Sequence, residues 1–169
     1  MNQGLLTGEK TAAVQKLLEA LQQKKTAAVY DLPESQATYL AALITRITGK
    51  RVLLVLPNDL AANKATEDAQ QLVGNASACL PSGEIELGRG VSSHENTWRR
   101  LETLQKVVSG ETKLLCVSMD AMLRRMASPD QFKQALLRLA PGDRIMPDQL
   151  MSQLLRMGYE RVEMVEGKG

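Results

Sequence analysis

The sequence predicts an α/β fold: a mostly parallel sheet flanked by helices, followed by the start of a small α+β subdomain. Three observations carry this. Strand-like and helix-like segments alternate through residue 118, as they do when parallel strands are joined by helical crossovers. Residues 26–57 read strand, turn, helix, strand, which is a βαβ unit of the usual length. Arg51–Pro57 (RVLLVLP) is apolar without alternation, as a strand buried on both faces should be.

Taken in order, residues 9–24 form a helix with Val14, Leu17, Leu18 and Leu21 as its stripe and Thr11 as its cap. Thr26–Tyr30 is a β-prone run, and Asp31–Ser35 breaks it. Ala37, Leu40, Ala41, Ile44 and Ile47 then recur at helical spacing, and Gly49 ends that helix. After the Arg51–Pro57 strand, residues 58–72 are a helix capped by Asn58, and Ser77–Leu80 is a third short strand. Residues 81–93 are an irregular segment rich in Gly and Ser, long enough to carry function or merely to connect. Ser92 or Ser93 caps the next helix, with Glu95 completing a capping box if Ser92 is the cap. Trp98, Leu101, Leu104 and Val107 or Val108 form its inner face, and Arg99 and Arg100 lie outward.

Lys113–Ser118 is the fourth strand, and a short helix covers 119–126. Ser128-Pro129-Asp130-Gln131 is a strong helix start; residues 133–140 can continue that helix or switch to strand, and the spacing of Phe132, Ala135, Leu136 and Leu139 favours helix. Pro147–Met157 is a helix closed by Gly158, and Tyr159–Val165 alternates as a strand. This divides the chain at 1–120 and 121–169, with the second subdomain incomplete. A strand at the end of the sequence needs a partner that the sequence does not contain.

The 169 residues are 44% hydrophobic but include only one Phe, one Trp and three Tyr, so the core must be aliphatic, with eight Met contributing. A net charge of +2 with scattered basic residues gives no strong steering toward nucleic acid or acidic membranes. Cys79 and Cys116 sit in strands and read as buried free thiols. With His94 alone they are too few for a metal site. No apolar run reaches membrane-spanning length and the N-terminus lacks signal-peptide character, so a reduced, cytoplasmic setting is expected.

Two segments resemble phosphate loops, and neither has the chemistry. Gly4–Thr11 (GLLTGEKT) has Glu9 where Gly must precede Lys, and no strand leads into it. The turn after the first strand is in the right place. A phosphate loop, however, needs glycines that let backbone N–H groups converge, and a lysine for charge. Asp31-Leu32-Pro33-Glu34-Ser35-Gln36-Ala37-Thr38 has neither, Pro33 lacks an N–H, and Asp31 and Glu34 repel phosphate. Only Thr38 stands where a magnesium-contacting hydroxyl would. His94 with Ser92, Ser93 and Glu95 is a run of sequence neighbours and does not make a triad. Asp59 and Asp120 follow strands at their C-terminal ends, where α/β sites gather, but each also reads as an ordinary helix-start acid. Arg99-Arg100 and Arg124-Arg125 are basic pairs that read as solvated faces or as contacts to protein or DNA.

Four stretches, in order, resemble the N-terminal, UvrB-like region of the bacterial transcription-repair coupling factor (Mfd). They are 26–57, the Ser93–Leu104 helix (SHENTWRRLETL), the Lys113–Met126 strand and helix, and Leu150–Gly169 with its LLRMGYERVEMVEGKG run. The resemblance implies a P-loop-NTPase-like first subdomain of the UvrB type with a degenerate phosphate loop (Walker A), in which the lysine position is Ala37 and only Ser35 and Thr38 agree. It further implies the opening of a subdomain that docks on UvrA, cut short before the strands that carry the family's UvrA-contacting arginines. For the whole protein it implies UvrA and RNA polymerase as partners, intramolecular contacts with other domains, and DNA engaged by a motor downstream. For this region it implies no catalytic residues, no cofactor, no metal and no membrane contact. The expected interaction surface is Arg99, Arg100, Arg124, Arg125, Arg156, Tyr159 and Arg161. The alternative is a free-standing α/β nucleotide binder or enzyme with its site at the strand C-terminal ends.

Overall fold

The computed structural model describes residues 11–83, 94–137 and 139–162. The expectations for the Gly4–Thr11 loop, for most of the 81–93 segment and for the end of the Tyr159–Val165 strand therefore lie outside the described residues, as does the side chain of His94. The chain forms two compact units, Met1–Arg124 and Arg125–Gly169. The boundary expected at 120/121 would cut the short helix at the end of the first unit.

The first unit opens with α1 (Ala12–Gln22), in which only Leu18 of the predicted stripe is buried. Then follow α2 (Glu34–Thr48), β1 (Val52–Leu56), α3 (Asp59–Val73), a 3₁₀ turn at Gly74–Ala76, β2 (Ser77–Leu80), α4 (His94–Ser109), β3 (Leu114–Ser118) and α5 (Met119–Leu123). The described sheet has three strands in the order β1-β3-β2, all parallel. This is the predicted α/β architecture.

α2 and α3 cover one face. Small residues let them approach closely: Ala41, Ala42, Ala62, Ala65 and Ala69 pack with Leu114 and Cys116 in one cluster. Three buried threonine hydroxyls lie on these helices. Each donates to the carbonyl one turn back (Thr38 to Glu34 at 3.2 Å, Thr45 to Ala41 at 2.9 Å, Thr66 to Ala62 at 2.8 Å), so burial leaves none of them unsatisfied. On the other face a smaller cluster, Leu80, Val117 and Ala121, lies under Leu104 of α4 and under α5. The caps work as read from the sequence at Asn58, whose side chain accepts from Ala61 N–H, and at Gly49, which takes the left-handed conformation at φ 65°.

Several expectations fail. Thr26–Tyr30 forms no strand, and its Val29 and Tyr30 are exposed. An isolated β-prone run gains nothing without a ladder partner. β1 is not buried on both faces. Val52, Leu54 and Leu56 are half-buried, but Leu53 and Val55 are 53% and 40% exposed, because among the described residues no helix covers the second face at that edge. α2 buries Ala41 of the expected face and leaves Ala37, Leu40 and Ile44 half-buried, but Thr38, Ala42, Leu43 and Thr45 beside that face are buried as well and Ile47 is exposed. The 119–126 helix stops at Leu123.

In the second unit, α6 (Pro129–Gln134) begins with the predicted capping box. Ser128 Oγ accepts from Gln131 N–H, and Gln131 Oε1 accepts from Ser128 N–H at 3.1 Å. The helix does not continue through 133–140, since none of its residues is buried and nothing rewards its extension. α7 (Pro147–Arg156) likewise buries no residue. Residues 159–162 belong to no strand.

Candidate functional site

Parallel strands bring their C-terminal ends to one edge of the sheet, and here three chain segments meet there. β1 delivers Asp59 as the first residue of α3, β2 delivers Pro81 and Ser82, and β3 delivers Ser118. Asp59 accepts from the Ser82 N–H at 3.0 Å and from the Ser82 hydroxyl. Burial pushes the Asp59 carboxyl up. Hydrogen bonds from Ser118 and Ser82 and the charge of Arg100 outweigh burial and hold it below the usual carboxylate range. Ser118 also caps α5 by accepting from Ala121 N–H at 3.1 Å.

Arg100 comes in from α4. Its Nη1 donates to Pro81 O at 2.6 Å and its Nη2 to Ala121 O at 3.4 Å. One turn further on, Thr103 donates to Cys79 O at 3.0 Å. α4 is therefore seated by polar anchors on the carbonyls that β2 leaves open at its end. This reverses two expectations. Arg100 is half-buried instead of outward, and Trp98 and Leu101, predicted to face inward, are 44% and 41% exposed. Burial lowers the pKa of the Arg100 guanidinium, with the nearby charge of Arg124 acting in the same direction and Asp59 opposing both.

Beside this cluster lies an open cleft of about 380 Å³ lined by Asp59, Asn63, Cys79, Asn96, Arg99 and Lys106, among others. Its charges are largely matched: Lys106 pairs with Glu102 at 2.7 Å, and Asp59 is held by Ser82. Burial pushes the Cys79 thiol up to about 11 and raises that of Cys116 as well, so neither is a nucleophile at neutral pH. Both are free thiols. Among the described residues no group of His, Cys, Asp and Glu could hold a metal ion. The arrangement ties strand ends together through Asp59 Oδ2, while Asp59 Oδ1 is buried without a hydrogen-bond partner among the described residues.

The degenerate phosphate-loop position is only half a loop. Asp31 and Leu32 precede Pro33, which occupies the N-cap position, and Glu34, Ser35, Gln36, Ala37 and Thr38 are the first residues of α2. Thr38 is 2% exposed and bonded within its own helix, so the one hydroxyl at the magnesium position is turned inward. Asp120 is exposed and does not join the Asp59 cluster. Arg124 is half-buried near Gly83, while Arg99 is exposed on α4. Arg125, Arg156, Tyr159 and Arg161 are exposed in the second unit. Sequence reasoning identified Asp59, named Arg100 only as an outward surface residue, and missed Ser82 and Ser118. The only available signal was their common position just past a predicted strand or on the helix between two.

Over 140 residues the chain is 29% identical to the transcription-repair-coupling factor of Bacillus subtilis (strain 168), covering 82% of this chain and 12% of that protein. Over 178 aligned residues it is 24% identical to the UvrABC system protein B of Chlorobium limicola, covering 96% of this chain and 26% of that protein. The chain thus spans a small part of the length of either relative. No family model matches, and no solved structure matches. The two relatives support the UvrB-like, coupling-factor resemblance drawn from the four sequence stretches, and with it a region related to DNA repair.

Proposed function

We propose that this chain is a non-catalytic, UvrB-like interaction region of a transcription-repair coupling factor, serving UvrA recruitment at stalled RNA polymerase. The observation that carries the non-catalytic reading is the state of the 31–38 segment. It has no Gly and no Lys, Pro33 begins the helix without an N–H to offer, and the Thr38 hydroxyl is spent on Glu34 O. A triphosphate there would meet Asp31 and Glu34 instead of converging amides. The similarity to both a coupling factor and a UvrB protein supports the assignment to repair. The alternative, a small-molecule site at the strand ends, has only the unpartnered Asp59 Oδ1 in its favour, since Ser82 is bonded to Asp59 Oδ2 and Arg100 to Pro81 O.

The test uses a coupling factor that contains this region. Deleting the region should abolish retention of UvrA while leaving ATP hydrolysis and displacement of stalled polymerase in place. Loss of ATP hydrolysis on deletion would contradict the non-catalytic reading, and undiminished UvrA retention would contradict the interaction role.

A further inference from the structure

The fold gathers basic residues that the sequence scatters. We propose that the edge of the first unit formed by the α2–β1 turn and the start of β3 is a contact surface for the phosphate backbone of a nucleic-acid duplex. Its residues are Arg46, Lys50, Arg51 and Lys113, all exposed. Lys113 is remote in sequence from the other three, and the parallel pairing brings it to them. Val52 N–H donates to Lys113 O at 2.7 Å, and Val52 is the register partner of Leu114. Arg51 and Lys113 thus precede the first paired positions of two neighbouring strands, which lie about 4.8 Å apart. Val52 and Leu114 pack in the cluster under α2 and α3. Strand alternation therefore sends Arg51 and Lys113 to the other face together, below the uncovered Leu53. Gly49, left-handed at φ 65°, turns the chain from α2 into β1. Lys50 N–H donates to Thr48 Oγ1 at 3.2 Å and fixes that turn, and Arg46 stands in the last turn of α2.

Three features fit this surface to a duplex backbone. Among the described residues none of the four cations forms an ion pair. The acid nearest to Lys113 in sequence, Glu111, accepts from Ser109 Oγ at 2.7 Å, so the edge keeps an excess of positive charge. Second, Asp31, Glu34, Asp59 and Asp120 lie at the opposite edge, where the helices start and the strands end. That separation of charge turns the basic edge toward a polyanion. Third, residues 46–52 and 111–114 contain no aromatic side chain. The edge has no platform on which unpaired bases could stack, so it suits the backbone of a duplex. The basic pairs picked out in the sequence do not offer such a surface: Arg100 is spent on Pro81 O and Arg124 is half-buried. The contact is independent of UvrA recruitment.

Fluorescence anisotropy of short labelled duplexes, titrated with the 169-residue chain over a range of salt, tests this. Four phosphate contacts give a log–log slope of affinity against salt of about −3.6, so affinity should fall on the order of 100-fold between about 50 and 200 mM salt. Parallel titrations with DNA and RNA duplexes identify which backbone is preferred, and this slope with either one supports the proposal. Arg51→Gln/Lys113→Gln should roughly halve the slope and weaken binding at least about 10-fold at the lowest salt. Arg125→Gln/Arg156→Gln removes the same charge from exposed sites on the second unit and should leave the slope unchanged and the affinity within about twofold. An unchanged urea midpoint verifies that each variant folds.

Absence of binding at low salt would overturn the proposal. Equal losses in the two double variants would do the same, because the attraction would then be diffuse. So would binding of poly-glutamate as tight as that of the duplex, which would assign the edge to an acidic protein segment.

Discussion

Replacing Arg100 with Ala should destabilise the first unit by about 2 kcal/mol. The side chain makes one short, charge-assisted bond, to Pro81 O at 2.6 Å, and a second at the outer limit, to Ala121 O at 3.4 Å. A hydrogen bond from a charged donor contributes roughly 1.5–3 kcal/mol when its partner is then left without one. The long contact adds little. Loss of the cation also removes one of the influences that keep Asp59 ionised. Arg100→Lys should recover only part of the loss, because an ammonium cannot span two carbonyls as a planar fork does. The assay is urea unfolding followed by fluorescence of Trp98, the single tryptophan, which lies on α4 itself. Lys64→Ala, at an exposed position on α3, is the control and should stay within about 0.5 kcal/mol. If Arg100→Ala also stayed within about 0.5 kcal/mol, α4 would not be seated by its polar anchors, and the description of the strand-end cluster would be wrong.

Three further outcomes are expected. Leu114→Ala, at a fully buried position between the two α2/α3 alanine rows and the sheet, should cost about 2–5 kcal/mol in the same assay. The Asp59 carboxyl has a folded-state value below its unfolded one, so its contribution is complete above the ordinary carboxylate range and is lost as pH falls through the folded value. Asp59→Asn should flatten that acid limb of a stability–pH profile. Cys79, raised to about 11, should hold roughly a thousandfold less thiolate than thiol at pH 8, so a disulfide reagent should react slowly with the native chain and rapidly with two thiols in denaturant.

What the sequence disclosed divides along the range of the interactions. Local chemistry was legible. Asn58, Gly49 and the Ser128–Gln131 box are caps that depend on residues within one turn, and each formed as read. The three short apolar runs at 52–56, 77–80 and 114–118 were found as strands because their composition leaves them no exposed alternative. Orientation was not legible. α4 carries Trp98 and Leu101 at proper helical spacing, yet it turns Arg100 and Thr103 inward, since the open carbonyls of Pro81 and Cys79 need donors. Those carbonyls lie about twenty residues away, and periodicity carries no information about them. β1 reads as a strand buried twice over, but burial of its second face depends on what covers Leu53 and Val55, which no property of the strand itself reveals. Asp59 was noticed for its position after a strand. Its partner Ser82 is 23 residues distant, and only the parallel topology brings them together.

The most direct test of the central claim is a calorimetric titration of the 169-residue chain with ATP and magnesium. A UvrB-like scaffold whose phosphate-loop position holds Asp31, Pro33, Glu34 and Ala37 should give no saturable heat up to roughly millimolar nucleotide. Saturable binding tighter than that, lost on Thr38→Val, would show a working nucleotide site at the start of α2 and contradict the account.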